Sequence, residues 1–257
     1  MCFDTDSRPP IEPIAGGALD SERLTLTSED GAQFSAFRAR AAKPSGNGIL
    51  ILPDVRGLHA YYEELPLRFT EHGIDAVAID YFGRSAGLAP RDPDFDYAPH
   101  LTEVSWEALE ADIRAGAAAL RAIRGDHAEP SHVFVIGFCM GGRLAYLSAT
   151  LGLGVSGVIG FYGWPTGPHR TGSPAPADVA SAIEAPVLAL YGGADQGINE
   201  EVRSAFDVAL DAAGVEHKTI VYPDAPHSFF DRKAAEFAAA SDAAWTETLA
   251  FIALHGA

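Results

Sequence analysis

Cysteine is nearly missing from this chain: Cys2 and Cys139 are the only two in 257 residues. That excludes a disulfide framework and suits a reducing compartment, so a cytoplasmic protein is expected. Basic residues are scarce as well, with 18 Lys and Arg against 35 Asp and Glu and a formal charge of −17. A field of that sign repels nucleic acid and anionic membrane surfaces, so neither is expected as a partner. No uncharged apolar run reaches the roughly 18 residues of a membrane span, and no transmembrane helix is expected. The opening MCFDTDSRPPIEP lacks a basic n-region and an apolar h-region, so it does not read as a secretory signal. Metal-ligand spacing is missing too: His72, His127, His132 and His217 follow no H-E-x-x-H pattern.

What remains is ordinary globular composition, 47% hydrophobic and 21% charged, in a chain long enough to bury its own core. Residues 1–20 lack periodicity and read as an extended arm, with a single domain over 21–257. Leu24 to Thr27 and Phe34 to Phe37 predict a short antiparallel hairpin around the Glu29-Asp30-Gly31 turn. The run GILILP at 48–53 predicts a strand buried on both faces, 74–80 a further buried strand, and 133–137, 155–162 and 186–191 the strands that follow. Helical spacing covers 61–72, 106–124, 140–150, 200–213 and 232–254, and a further strand covers 217–222. Residues 82–103, rich in Gly, Pro and Asp, read as a surface excursion over a site, and the Pro- and Gly-rich stretch 163–178 is expected to reshape the pocket. Strands alternating with helices predict an α/β fold, a mostly parallel twisted sheet with helices on both faces and antiparallel strands at one edge.

The chemistry concentrates at residues 137–141, Gly-Phe-Cys-Met-Gly, directly after a buried strand and before a helix. A nucleophile at such a strand-to-helix turn must project above the sheet on a strained backbone, and its neighbours must lack side chains where strand and helix crowd together. The helix dipole favours the thiolate of Cys139, and the Met140 amide can serve an oxyanion. Asp195, in YGGAD, and His227, in PHSF, each follow a later predicted strand. In an open parallel sheet those loops share one edge. The order nucleophile, acid, histidine is that of α/β-hydrolases. Taken singly, each has a plainer reading: a buried cysteine, a solvated aspartate, a surface histidine.

With these segments the sequence resembles the dienelactone hydrolase family of α/β-hydrolases over roughly residues 20–255. The resemblance implies a Cys139-His227-Asp195 triad and an oxyanion hole from the Met140 and Val55 amides, with no metal or organic cofactor. It also implies a carboxylate that modulates the thiol, here Asp54 where the family pattern has Glu, and a substrate-carboxylate-binding arginine at Arg84. A second family arginine, four residues beyond the histidine, is replaced by Asp231, with Arg232 beside it. Arg56, in the oxyanion loop, takes the place of an aromatic and is a further candidate to bind substrate. Tyr162 and Trp164 follow a strand at the binding edge and are candidates to wall the pocket, as His59 is to touch substrate.

The expected function is hydrolysis of activated esters or small carboxylate-bearing lactones through an acyl-thiolate, by a monomer or a homodimer. A thiolate is a good leaving group, so the intermediate goes forward only when the alcohol departs easily, as an enol does. Two alternatives stay open: a carboxylesterase or thioesterase for neutral substrates, and a non-enzymatic ligand-binding module on the same fold. A redox-sensor role for Cys139 lacks a resolving cysteine nearby in sequence.

Overall fold

A computed structural model describes residues 7–92, 94–124, 129–231 and 233–257. Cys2, His127 and Arg232 lie outside the described residues. In chain order the elements are β1 (Ala18–Thr27), β2 (Gln33–Ala41), β3 (Asn47–Leu52), α1 (Ala60–Thr70), β4 (Asp75–Ile79), α2 (Gly83–Ala86), α3 (Tyr97–Leu101) and α4 (Trp106–Arg121). There follow β5 (His132–Phe138), α5 (Met140–Ser148), β6 (Gly157–Phe161), β7 (Val187–Gly192), α6 (Glu200–Ala213), β8 (His217–Tyr222) and α7 (Ala238–His255).

The eight strands form one sheet in the order β1-β2-β4-β3-β5-β6-β7-β8. Pairing is antiparallel from β1 to β2 and from β2 to β4, and parallel at every other junction. The central strands β3, β4 and β7 are buried at every residue, which is why they read as unbroken apolar runs. One face is covered by α1 and α7, joined where the Phe69 ring packs at a tilt against Trp245, 4.8 Å between centroids. The other is covered by α4, α5 and α6. There Arg114 of α4 donates to the Leu151 carbonyl just beyond α5, and Phe206 of α6 meets Tyr146 of α5 at 4.9 Å.

Three sequence expectations change. The opening hairpin is longer than its apolar core, because β1 runs along the sheet edge with exposed charged residues paired to β2. Arg38 bonds Glu22 and Arg40 bonds Asp20 across the hairpin, so residues 18–20 belong to the sheet and not to an arm. The segment 82–103 holds two short helices, α2 and α3, and is tied inward by Arg91, whose guanidinium meets buried Asp80 at 2.7 Å. The last helix starts at Ala238, not near 232. Residues 228–231 and 233–237 turn instead, with Phe229 and Phe230 buried. No helix among the described residues is long and apolar enough to cross a membrane.

Candidate active site

The parallel strands β3, β5, β6, β7 and β8 deliver their loops to one edge of the sheet, and the site is assembled there. Cys139 sits between β5 and α5 with φ 55° and ψ −112°, a conformation side chains rarely adopt. Glycine makes the turn possible. A Cβ on Gly137 would lie 1.8 Å from the Gly141 carbonyl oxygen, and one on Gly141 would lie 2.0 Å from that of Leu52. The Cys139 amide bonds the Phe161 carbonyl at 3.0 Å, fixing the elbow to β6. Strain is confined to this neighbourhood: among the described residues the non-glycine positions with positive φ are Cys139, Tyr162 and Ser228. Each costs about 1–3 kcal/mol, a cost that persists only where surrounding structure imposes it.

Asp195 lies in the loop after β7, largely buried, and accepts the Gly197 and Ile198 amides at 2.9 and 3.2 Å. Its other oxygen meets His227 Nδ1 at 2.6 Å. Burial pushes the Asp195 carboxyl up, but the His227 hydrogen bond and charge and the two amides outweigh it, leaving the pKa below its ordinary value. An ionised Asp195 makes Nδ1 the donor, so Nε2 is the ring nitrogen with a lone pair that can take a proton.

Cys139 and His227 line one cavity of about 250 Å³, together with Val55, Met140, Tyr162, Trp164 and Pro168; Arg143 and His169 complete it. The Met140 amide belongs to the first turn of α5, where N–H groups lack intrahelical acceptors. Val55 comes from the loop after β3. That loop is pinned from below: Tyr81 donates to the Pro53 carbonyl at 2.8 Å, and Asp80 accepts the Leu58 amide at 2.9 Å. Burial, then the charges of Asp54, Asp80 and Cys139, raise the Tyr81 phenol well above its usual value, so it stays a donor.

Asp54 is fully buried, and one of its oxygens accepts the Arg56 amide at 2.8 Å, a turn-stabilising bond. Tyr162 lines the cavity with its ring 4.9 Å from that of His227, and its hydroxyl donates to buried Asp231 at 2.9 Å. The aspartate that replaces the family arginine thus ties β6 to the His227 loop. His59 caps α1, accepting the Tyr61 amide, and does not line the cavity. Burial, then Arg56, lower its pKa to about 3.

The arginines depart from expectation. Arg84 does not reach the cavity; its guanidinium bonds Asp112 at 2.5 Å and Asp30 at 2.8 Å, stapling α2 to α4 and to the β1–β2 turn. Asp112 is buried and needs that cation more than a substrate would. Arg56 stands over the Tyr97 ring at 6.0 Å and is likewise outside the lining. The cation that does line the cavity, Arg143, was not singled out in the sequence. It is 1% exposed and spends its donors on the loop after β6. It bonds the carbonyls of Trp164, Thr166, Gly167, Ser173 and Pro174, and the Ser173 hydroxyl. Burial lowers its pKa to about 10, which still leaves it charged. No cluster of three or more potential metal-ligating side chains occurs among the described residues.

This geometry meets its counterpart in known proteins. Residues 34–255 match the profile of the dienelactone hydrolase family. The chain belongs to the dienelactone hydrolase family. A Methylorubrum extorquens protein provisionally named a carboxymethylenebutenolidase is 30% identical, over 85% of this chain and 75% of its own length. The carboxymethylenebutenolidase of Pseudomonas putida is 29% identical over 56% of this chain and 61% of its own. Among solved structures, a provisionally named dienelactone hydrolase of Klebsiella pneumoniae has a TM-score of 0.74 and 26% identity, covering 91% of this chain and 99% of that one. Like those relatives, this dienelactone hydrolase family member has the α/β-hydrolase fold and is a hydrolase of the ester or lactone type.

Proposed function

We propose that the protein hydrolyses activated esters or lactones with Cys139 as nucleophile, His227 as acid and base, and Asp195 as the group that orients the imidazole. The observation that carries this reading is the Asp195–His227 pair at 2.6 Å in the same cavity as a strained, glycine-framed cysteine. With its proton passed to His227, the Cys139 thiolate attacks the carbonyl carbon, and the oxyanion is received by the Met140 and Val55 amides. As the tetrahedral adduct collapses, the alkoxide or enolate leaves with a proton from His227, and a thioester remains. His227 then takes a proton from water, which attacks the thioester and releases the carboxylic acid and the thiolate. Asp54 keeps a part in controlling the thiol's ionisation, and Cys139 reduced throughout fits a cytoplasmic setting.

The lining favours an uncharged acyl group. Arg84 is held by two carboxylates, Arg56 stands elsewhere, and Arg143 donates to backbone carbonyls. A carboxylate-bearing lactone is the second reading, supported by the carboxymethylenebutenolidase relatives. Arg84→Ala separates the two: the neutral reading expects KM to change alike for an anionic lactone and a neutral aryl ester. A rise confined to the anionic lactone would restore the second reading. For the chemistry itself, iodoacetamide near neutral pH should alkylate Cys139 stoichiometrically in a Cys2→Ser background, with loss of aryl-acetate turnover in proportion. A thiol no more reactive than free cysteine would instead support a binding module.

A further inference from the structure

One wall of the cavity carries an imidazole that the reaction above does not use. His169 stands there beside Trp164 and Pro168, in the same lining as Cys139. Its tautomer follows from its partners. The Thr171 backbone N–H approaches His169 Nδ1 at 3.4 Å, and an amide can only donate, so Nδ1 is an acceptor. The Thr171 hydroxyl meets the same nitrogen at 2.8 Å while itself accepting the Ser173 amide at 3.4 Å, which directs its own proton to the imidazole. With both approaches occupied by donors, the ring proton of neutral His169 resides on Nε2. Burial, then the charges of Arg143 and Arg170, lower the pKa of His169 to about 4, so the ring is neutral at physiological pH.

The loop that carries this ring is held from within. Thr171 and Ser173 are buried, the Thr171 carbonyl accepts the Trp106 amide at 2.7 Å, and Arg143 binds the carbonyls on both sides of His169. A donor on such a support costs little ordering when a ligand arrives. Its neighbours Val55, Met140, Trp164 and Pro168 offer a substrate mainly apolar surface. A second oxygen carried into that space can accept the N–H of the His169 ring. An alkyl group in the same position would bury the N–H without a partner.

We propose that His169 is a specificity-determining donor: its Nε2–H recognises an acceptor oxygen that an uncharged ester or lactone carries beyond the reacting carbonyl. The proposal rests on the hydrolase reading and names the substrate class for it. Two esters test it, para-nitrophenyl levulinate and para-nitrophenyl valerate, which share a leaving group and differ by one ketone oxygen. The wild type should favour the levulinate in kcat/KM. His169→Leu should lower the levulinate-to-valerate ratio by about tenfold, the factor of one hydrogen bond, mainly through KM. His169→Gln, which keeps an N–H, should retain most of the ratio. A ratio unchanged in His169→Leu would overturn the assignment and leave the hydrolase reading intact. A wild type that turns over neither ester would overturn both. Long-range proton–nitrogen NMR of the free protein near neutral pH should show a neutral Nε2–H ring at His169. A cationic ring or the Nδ1–H tautomer would contradict the proposal without any turnover being measured.

Discussion

The elbow at 137–142 and the loop at 163–174 face the same cavity, yet they are held in opposite ways. The elbow is imposed locally: glycines let β5 and α5 approach, and a side chain at Gly137 or Gly141 would collide with backbone. The loop has no helix or strand of its own before Pro176 and takes its shape from one buried guanidinium. The elbow is therefore fixed by backbone sterics, while the facing wall is held mainly by hydrogen bonds from one buried guanidinium, with the Trp106 amide holding Thr171. The first tolerates almost no change, and the second can be rebuilt by altering the loop alone.

Substitutions can break that contrast at either end. Gly141→Ala should have the largest effect, since the new Cβ would meet the Leu52 and Pro53 carbonyl oxygens at 2.0 and 2.3 Å. We expect a loss beyond about 4 kcal/mol in urea unfolding, or no folded protein at all. Asp195→Asn leaves the packing but misorients His227. The kcat for an aryl acetate should fall by about 10⁴-fold with the fold retained. The same variant has a pH signature. Asp195 titrates below its ordinary value in the folded protein, so its stabilising contribution is present in full above about pH 4 and is lost as pH falls through the folded pKa. Asp195→Asn should therefore flatten the acid limb of stability against pH, measured by thermal unfolding.

Arg143→Met removes the clamp and strands several buried carbonyls. A loss of about 3–5 kcal/mol is expected, with amide exchange accelerated over 164–174 and not at the elbow. Acceleration spread evenly over both regions would erase the distinction drawn here. Tyr162→Phe is the mildest case. It takes one donor from buried Asp231 and should cost about 1–3 kcal/mol, read from the urea midpoint.

The same division explains what could be read from the sequence. Strands β3, β4 and β7 were legible because burial on both faces leaves an unbroken apolar run. The motifs around Cys139, Asp195 and His227 were legible because each follows a strand that must end at the same sheet edge. The first half of β1 was not, since an exposed edge strand held by Asp20 and Glu22 has no apolar alternation to detect. Arg84 looked like a substrate ligand because its partners Asp112 and Asp30 lie 28 and 54 residues away along the chain. Arg143 and His169 carried no signal at all. Arg143 is an unremarked residue in a helix, whose acceptors are backbone carbonyls, and a carbonyl is present at every position whatever the sequence.

The covalent intermediate is where the account is most exposed. Acid-quenching the protein within one turnover of para-nitrophenyl acetate and mapping the adduct by mass spectrometry would find an acetyl thioester on Cys139, accumulating further in His227→Ala if deacylation slows more than acylation. Acetylation of a different side chain, with turnover surviving in Cys139→Ala, would contradict it.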